Sequence, residues 1–173
     1  METPSLGESQ NPGRPLDVST IPLSEAPLEA WPYVAASEGY EFSESRTLDL
    51  AQIPFWTGQV LQPVEDKLFE SRLRSVGEKA HSRYEVLKRF DEALKSMGAQ
   101  KITTSEIDRE ILEEELPRDF GVEFNVGAGG YYGGEEQSVY VLRKADRTIW
   151  FKIYSDSNRG SVMIMESMAI PAS

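Results

Sequence analysis

The chain has 173 residues, of which 39% are hydrophobic and 27% are charged, and its formal net charge is −11. It contains no cysteine, which excludes disulfides, thiol catalysis and cysteine-ligated metal sites. No apolar run approaches the ~20 residues that a membrane-spanning helix needs. The length fits one domain with an ordinary hydrophobic core.

The acidity is concentrated near the N-terminus. Residues 1–45 carry eight acidic residues against Arg14 as the one basic residue, a net charge of −7, whereas residues 46–173 carry −4. The larger part of the chain is therefore nearly balanced and has no basic stripe of the kind that duplex binding requires. We expect no nucleic-acid partner, and the charge distribution also argues against an acidic inhibitor of a basic protein.

Residues 1–30 are rich in proline, serine, glutamate and glycine. This composition predicts a disordered arm over residues 1–30, followed by a single domain over residues 31–173. The first residues, METPSLGESQNPGRP, have neither the basic nor the apolar region of a signal peptide, so we expect no signal peptide in this chain.

The first ordered segments are predicted to be strands. YEFSESRTLDLAQIPFW mixes apolar and polar residues at roughly alternate places, which favours strands or an extended lead-in. KLFESRLRSV alternates most clearly, with one face formed by Phe69, Ser71 and Leu73. The opposite face carries Glu70, Arg72 and Arg74.

Two helices are predicted next. SRYEVLKRFDEALKSMG begins with a capping box of Ser82 and Glu85, has a continuous apolar face, and is expected to end at Gly98. After the short strand QKIT, the segment SEIDREILEEELP predicts a shorter, acidic helix that Ser105 caps and Pro117 stops.

The C-terminal third is predicted to be a β-meander. SVYVLR, TIWFKIY and SVMIMESMAI are separated by the turn segments KADR and SDSNRG. The middle run alternates Ile149, Phe151 and Ile153 with Trp150, Lys152 and Tyr154, so both faces carry apolar bulk, as in a central strand with a helix on one face. The sum is an α+β fold, an antiparallel sheet with one long and one short helix packed on it and a C-terminal three-stranded meander.

No catalytic, cofactor-binding or metal-binding residue is assigned from the sequence, and no cofactor is expected. His81 is the single histidine and cannot form a triad or a zinc site without partners. The carboxylates of residues 113–115 point in different directions around a helix, which indicates a solvated face. SDSNRGS lacks the further ligands of a calcium loop and is interpreted as a turn.

The segment GVEFNVGAGGYYGGEEQ, residues 121–137, contains six glycines. Gly127 and Gly129 match the first two positions of a dinucleotide fingerprint, but Tyr132 occupies the third glycine position, and a strand follows in place of a helix. We therefore predict a flexible connection without phosphate binding. Tyr131 and Tyr132 are the candidate partner contacts, with anchoring of the loop on the sheet as the favoured alternative, and replacing both with alanine is expected to preserve the fold.

Four segments together resemble the N-terminal region of certain Gram-negative OmpA-family envelope proteins. They are PFWTGQVLQPVEDKLFESRLR, SRYEVLKRFDEALKSMGAQKI, VYVLRKADRTIWFKIYSDS and VMIMESMAI, with PFWTG and ADRTIW as the most specific parts. In that family the region precedes a peptidoglycan-binding domain, to which the peptidoglycan-contacting residues belong, so none is carried over to this chain. The resemblance implies an exported domain cut from a longer protein.

From the resemblance we expect a non-enzymatic interaction domain in the periplasm or on the periplasmic face of the outer membrane. Its partner would be a protein or another envelope component, with no membrane span in this chain. Two alternatives stay open. One is an envelope enzyme that acts on glycans through paired carboxylates, and the other is an acidic immunity or inhibitor protein.

Overall fold

The computed structural model describes residues 13–168. Six strands form one antiparallel sheet in the order β1-β2-β6-β5-β4-β3. The strand bounds are β1 Tyr40–Trp56, β2 Leu61–Ser75, β3 Gln100–Glu106, β4 Glu136–Arg143, β5 Arg147–Ser155 and β6 Gly160–Met168. The predicted meander is confirmed, since β4, β5 and β6 follow one another along the chain and pair as neighbours.

Three helices interrupt the strands: α1 Arg83–Ser96, α2 Arg109–Glu115 and α3 Phe120–Glu123. The start of α1 is as predicted, because the Glu85 amide donates to Ser82 Oγ at 3.2 Å. The predicted cap of α2 is wrong. Ser105 lies within β3, where its hydroxyl accepts from Trp56 Nε1 at 2.9 Å, and α2 is capped instead by Asp108, which accepts from the Glu110 amide at 3.0 Å.

The predicted α+β class is also wrong, because the described chain is mainly β, with 42% of residues in strands and 18% in helices, the short 3-10 helix Val18–Thr20 included. β1 coincides with the segment YEFSESRTLDLAQIPFW, for which strands or an extended lead-in were predicted, but β2 begins six residues before the predicted strand KLFESRLRSV. Moreover, among the helices that the structure describes, α1 alone has several buried residues, and it packs on one face of the sheet through Val86, Phe90 and Leu94. No residue of α2 is fully buried.

The opposite face of the sheet is covered without a long helix. The β1–β2 hairpin curls over this face, helped by register irregularities between Ser43 and Arg46 and between Leu48 and Ala51. Its end reaches the far edge of the sheet, where Trp56 bonds to Ser105 of β3. The glycine-rich segment and α3 fill the remaining space, so the two faces of the sheet carry two separate apolar cores.

The described part of the N-terminal segment also packs on the domain. Leu16 and Ile21 are buried, and Arg143 Nη1 donates to the carbonyls of Ser19 and Ile21 at 3.1 and 3.0 Å. Residues 13–30 therefore have a defined place against the sheet, which differs from the disordered arm expected for this stretch. The part of that prediction that concerns residues 1–12 lies outside the described residues.

The helix-covered core allows a direct test of α1 packing. Phe90 is 2% exposed, so we expect Phe90→Ala to lower the free energy of unfolding by ~3–5 kcal/mol, through lost burial and the cavity left behind. Tyr84 lies on the same helix but is 73% exposed, so Tyr84→Ala should cost below ~1 kcal/mol. Urea denaturation measures both, and equal losses would contradict this packing.

Candidate functional site

The glycine-rich segment is packed on the sheet in the structure, in contrast to the flexible connection predicted from its composition. Gly127, Ala128, Gly130 and Tyr131 are all buried. Residue 129 must be a glycine because its backbone lies close to the sheet. A Cβ at Gly129 would lie 2.3 Å from the Tyr154 ring and 2.5 Å from Ser161 Oγ. Such a separation is impossible for real atoms, so a larger residue at this position would push the segment away from the sheet.

Lys152 of β5 holds this segment in place. Its side chain is fully buried, and Nζ donates to the carbonyls of Gly127 and Gly129 at 2.7 and 2.5 Å. A third partner, Ser161 Oγ of β6, lies 3.0 Å from Nζ. A charged ammonium has three N–H groups, so all three of its donors find acceptors here.

Burial lowers the pKa of Lys152 from 10.5 to about 7, and the nearby carboxylates of Glu135 and Glu70 only partly oppose this effect. The neutral amine suits the same geometry. It keeps two N–H groups for the two carbonyls, and its lone pair can accept from the Ser161 hydroxyl, which rotates to donate. The site is thus satisfied in both protonation states.

Glu70 of β2 lies in register with Lys152 across β6, on the same face of the sheet, and also binds the segment. Its fully buried carboxylate accepts from the Gly127 amide at 2.8 Å and from Arg46 Nε at 2.5 Å. Lys152 therefore donates hydrogen bonds to two carbonyls of the segment, and Glu70 accepts one from a backbone amide of the segment. We call Lys152 and Glu70 the loop anchor.

A polar cleft of about 210 Å³ opens beside the loop anchor. Its lining includes six charged or aromatic side chains: Arg72, Tyr132, Glu135, Tyr154, Asp156 and Arg159. Two of these are basic and two are acidic, so their formal charges cancel. The Tyr154 hydroxyl donates to Glu135 Oε2 at 2.8 Å and lies 3.3 Å from Asp156 Oδ2, which fixes the positions of both carboxylates.

The two tyrosines singled out from the sequence are separated by the structure. Tyr131 is 2% exposed, its ring centroid lies 4.6 Å from that of Phe120, and its hydroxyl donates to the Pro54 carbonyl at 2.9 Å. Tyr132 is 52% exposed and borders the polar cleft. Of the two, Tyr132 alone presents its ring to solvent.

The turn predicted at residues 155–160 is confirmed. Asp156 Oδ1 accepts from the amides of Asn158 and Arg159 at 2.7 and 2.8 Å, so this carboxylate oxygen stabilises the turn. Within residues 13–168, no group of three His, Cys, Asp or Glu side chains is placed to hold a metal ion. His81, just before α1, has its Nε2 2.7 Å from Ser155 Oγ and does not line the cleft.

The loop anchor was not predicted from the sequence, although a signal for it was present. Lys152 stands in TIWFKIY, where apolar residues occupy both faces, so its ammonium had to be buried as well. A buried lysine needs several acceptors or a carboxylate. The partners were not identifiable, because Gly127 and Glu70 are distant from Lys152 in the sequence.

No family model and no curated protein matches the chain. The resemblance to the OmpA family therefore stays a prediction. Among the described residues, no helix is long and apolar enough to cross a membrane.

The different burial of the two tyrosines predicts different stabilities. Tyr131→Ala should lower the free energy of unfolding by ~3–5 kcal/mol, because it removes a buried ring and a hydrogen bond to Pro54. Tyr132→Ala should cost below ~1 kcal/mol. The expectation that replacing both tyrosines preserves the fold is accordingly withdrawn. Chemical denaturation of the two single variants checks this, and a stable Tyr131→Ala variant would contradict it.

Lys152 also predicts a pH dependence. Between the pKa of about 7 in the folded state and 10.5 in the unfolded state, the unfolded chain binds a proton that the folded chain lacks. The free energy of unfolding should therefore rise with pH above 7, by up to about 1.4 kcal/mol per pH unit. Below pH 7 both states bind the proton and this contribution becomes constant.

The measurement is urea denaturation at pH 7, 8 and 9, below the range in which unfolded tyrosines titrate. Lys152→Met should remove most of the slope, whereas Lys88→Met, at an exposed position of α1, should retain it. A flat wild-type profile over this range would contradict the assignment.

Proposed function

We propose that this chain is a non-enzymatic interaction domain of the bacterial cell envelope, placed in the periplasm or on the periplasmic face of the outer membrane. The location rests on the resemblance of its sequence segments to the OmpA family. The binding role is supported mainly by one observation, the polar cleft bordered by the exposed Tyr132 on a loop that is held to the sheet. Its partner is an envelope component.

The position of the loop favours binding. Gly127 and Gly129 are held by Lys152 and Glu70, so the backbone beside Tyr132 is already ordered before a partner arrives. A preorganised surface loses less conformational entropy on association. Tyrosine adds amphipathic contact area with few rotatable bonds.

The arrangement of polar groups supports binding over catalysis. A serine–lysine nucleophile would need Ser161 to be open to a substrate, but Ser161 is 5% exposed and lies directly beneath Gly129. The carboxylates of Glu135 and Asp156 already accept hydrogen bonds from backbone amides, Gly130 in the first case and Asn158 in the second. These groups hold the loop and the turn.

The test is co-sedimentation of the purified chain with isolated Gram-negative cell envelopes. We expect the wild type to sediment with the envelopes and Tyr132→Ala to remain largely in the supernatant, because the substitution removes the exposed ring. Tyr84→Ala is the matched control, since Tyr84 is also exposed but lies on α1, on the other face of the sheet. It should sediment like the wild type.

Two outcomes would overturn the proposal. One is the absence of sedimentation by the wild-type chain. The other is release of soluble fragments from purified peptidoglycan or oligosaccharide during incubation with the chain, which would identify an enzyme that acts on glycans. A reporter fusion of the full-length protein that stays in the cytoplasm would overturn the proposed location.

A further inference from the structure

The charge balance of the polar cleft restricts the ligand that it can take. The guanidinium groups of Arg72 and Arg159 face the same space as the carboxylates of Glu135 and Asp156. An anion would meet two carboxylates there, and a cation would meet two guanidinium groups. A neutral ligand avoids both of these repulsions, and it brings no charge that must be desolvated.

The hydrogen-bonding groups favour a ligand with several hydroxyls. Arg159 is exposed, and its guanidinium can donate into the cleft. Arg72 is paired through Nε with the Glu44 carboxylate outside the cleft, and through Nη2 it donates to Asn125 Oδ1 at 3.0 Å, so its side chain is held at the cleft wall. The carboxylates of Glu135 and Asp156 are acceptors with lone pairs to spare. A hydroxyl both donates and accepts, so one hydroxyl can bridge a guanidinium and a carboxylate.

The two tyrosine rings and the volume of the polar cleft further restrict the class of ligand. The ring of Tyr132 offers an apolar face at the mouth, and the ring of Tyr154 lies deeper and is 9% exposed. A volume of about 210 Å³ is below the ~300–1,000 Å³ of sites that hold drug-sized ligands. The cleft thus fits one ring that carries hydroxyls at its edge and C–H groups on its face.

We propose that the polar cleft binds a single saccharide ring, a neutral hexose or N-acetylhexosamine unit of a glycan. This inference rests on the proposed function and deepens it, because it names the chemical class of the envelope component. The ring stacks on Tyr132, and its hydroxyls bridge the guanidinium groups of Arg72 and Arg159 to the carboxylates of Glu135 and Asp156.

The experiment is an NMR titration of the ¹⁵N-labelled chain with N-acetylglucosamine, with galactose and with the zwitterionic dipeptide Ala-Ala. We expect at least one of the sugars to cause saturable shifts in residues 125–135 and 156–161, and the dipeptide to cause none. Tyr132→Ala and Arg159→Ala should each weaken sugar binding about tenfold. Tyr84→Ala and Arg89→Ala change the same residue types on exposed positions of α1 and should bind as the wild type does.

Saturable shifts with the dipeptide alone would overturn the saccharide assignment, and so would the absence of saturable shifts with both sugars. Unchanged affinity in Tyr132→Ala and Arg159→Ala would place sugar binding elsewhere and would also overturn it. If the chain still sediments with envelopes in those cases, the saccharide assignment fails and the proposed function stands. If sedimentation is lost as well, both fail.

Discussion

The buried side chain of Lys152 is the constraint on which the second face of the sheet depends. A lysine in an apolar strand is costly unless each of its protons finds an acceptor. Here the acceptors are two carbonyls of the glycine-rich segment and the hydroxyl of Ser161. The requirement works in both directions, because those carbonyls would be buried and unpaired without the lysine. The lysine and the segment therefore stabilise one another.

This mutual requirement explains how a sheet with two apolar faces is covered by a chain with one long helix. α1 supplies a ready apolar stripe for one face. On the other face, a curled hairpin, the short helix α3 and the glycine-rich segment together replace a second helix. A segment with so many glycines loses much conformational entropy when it is ordered, so it needs strong polar contacts to stay in place. Lys152 and Glu70 provide them.

The same contacts bear on function. A loop that was loose in the free protein would have to be ordered on binding, at a cost in affinity. Because the loop anchor orders the backbone in advance, Tyr132 projects from a fixed base beside the cleft. Tyr154 likewise fixes the cleft wall in advance, because its hydroxyl donates a hydrogen bond to Glu135. Hydrogen bonds within the protein thus hold the backbone beside Tyr132 and the Glu135 carboxylate in place before a ligand binds.

Sequence patterns were sufficient to predict those elements that depend on neighbouring residues alone. The cap at Ser82, the apolar stripe of α1 and the three strands of the meander depend on residues a few positions apart, and the sequence by itself determined them. The class of the fold, the place of Leu16 and Ile21, the separation of Tyr131 from Tyr132 and the loop anchor were decided by the tertiary structure. Their partners are far apart in the chain, 25 residues between Gly127 and Lys152 and 57 between Glu70 and Gly127. No local periodicity records such a pairing, because it arises only when the sheet brings β2, β5 and the glycine-rich segment together.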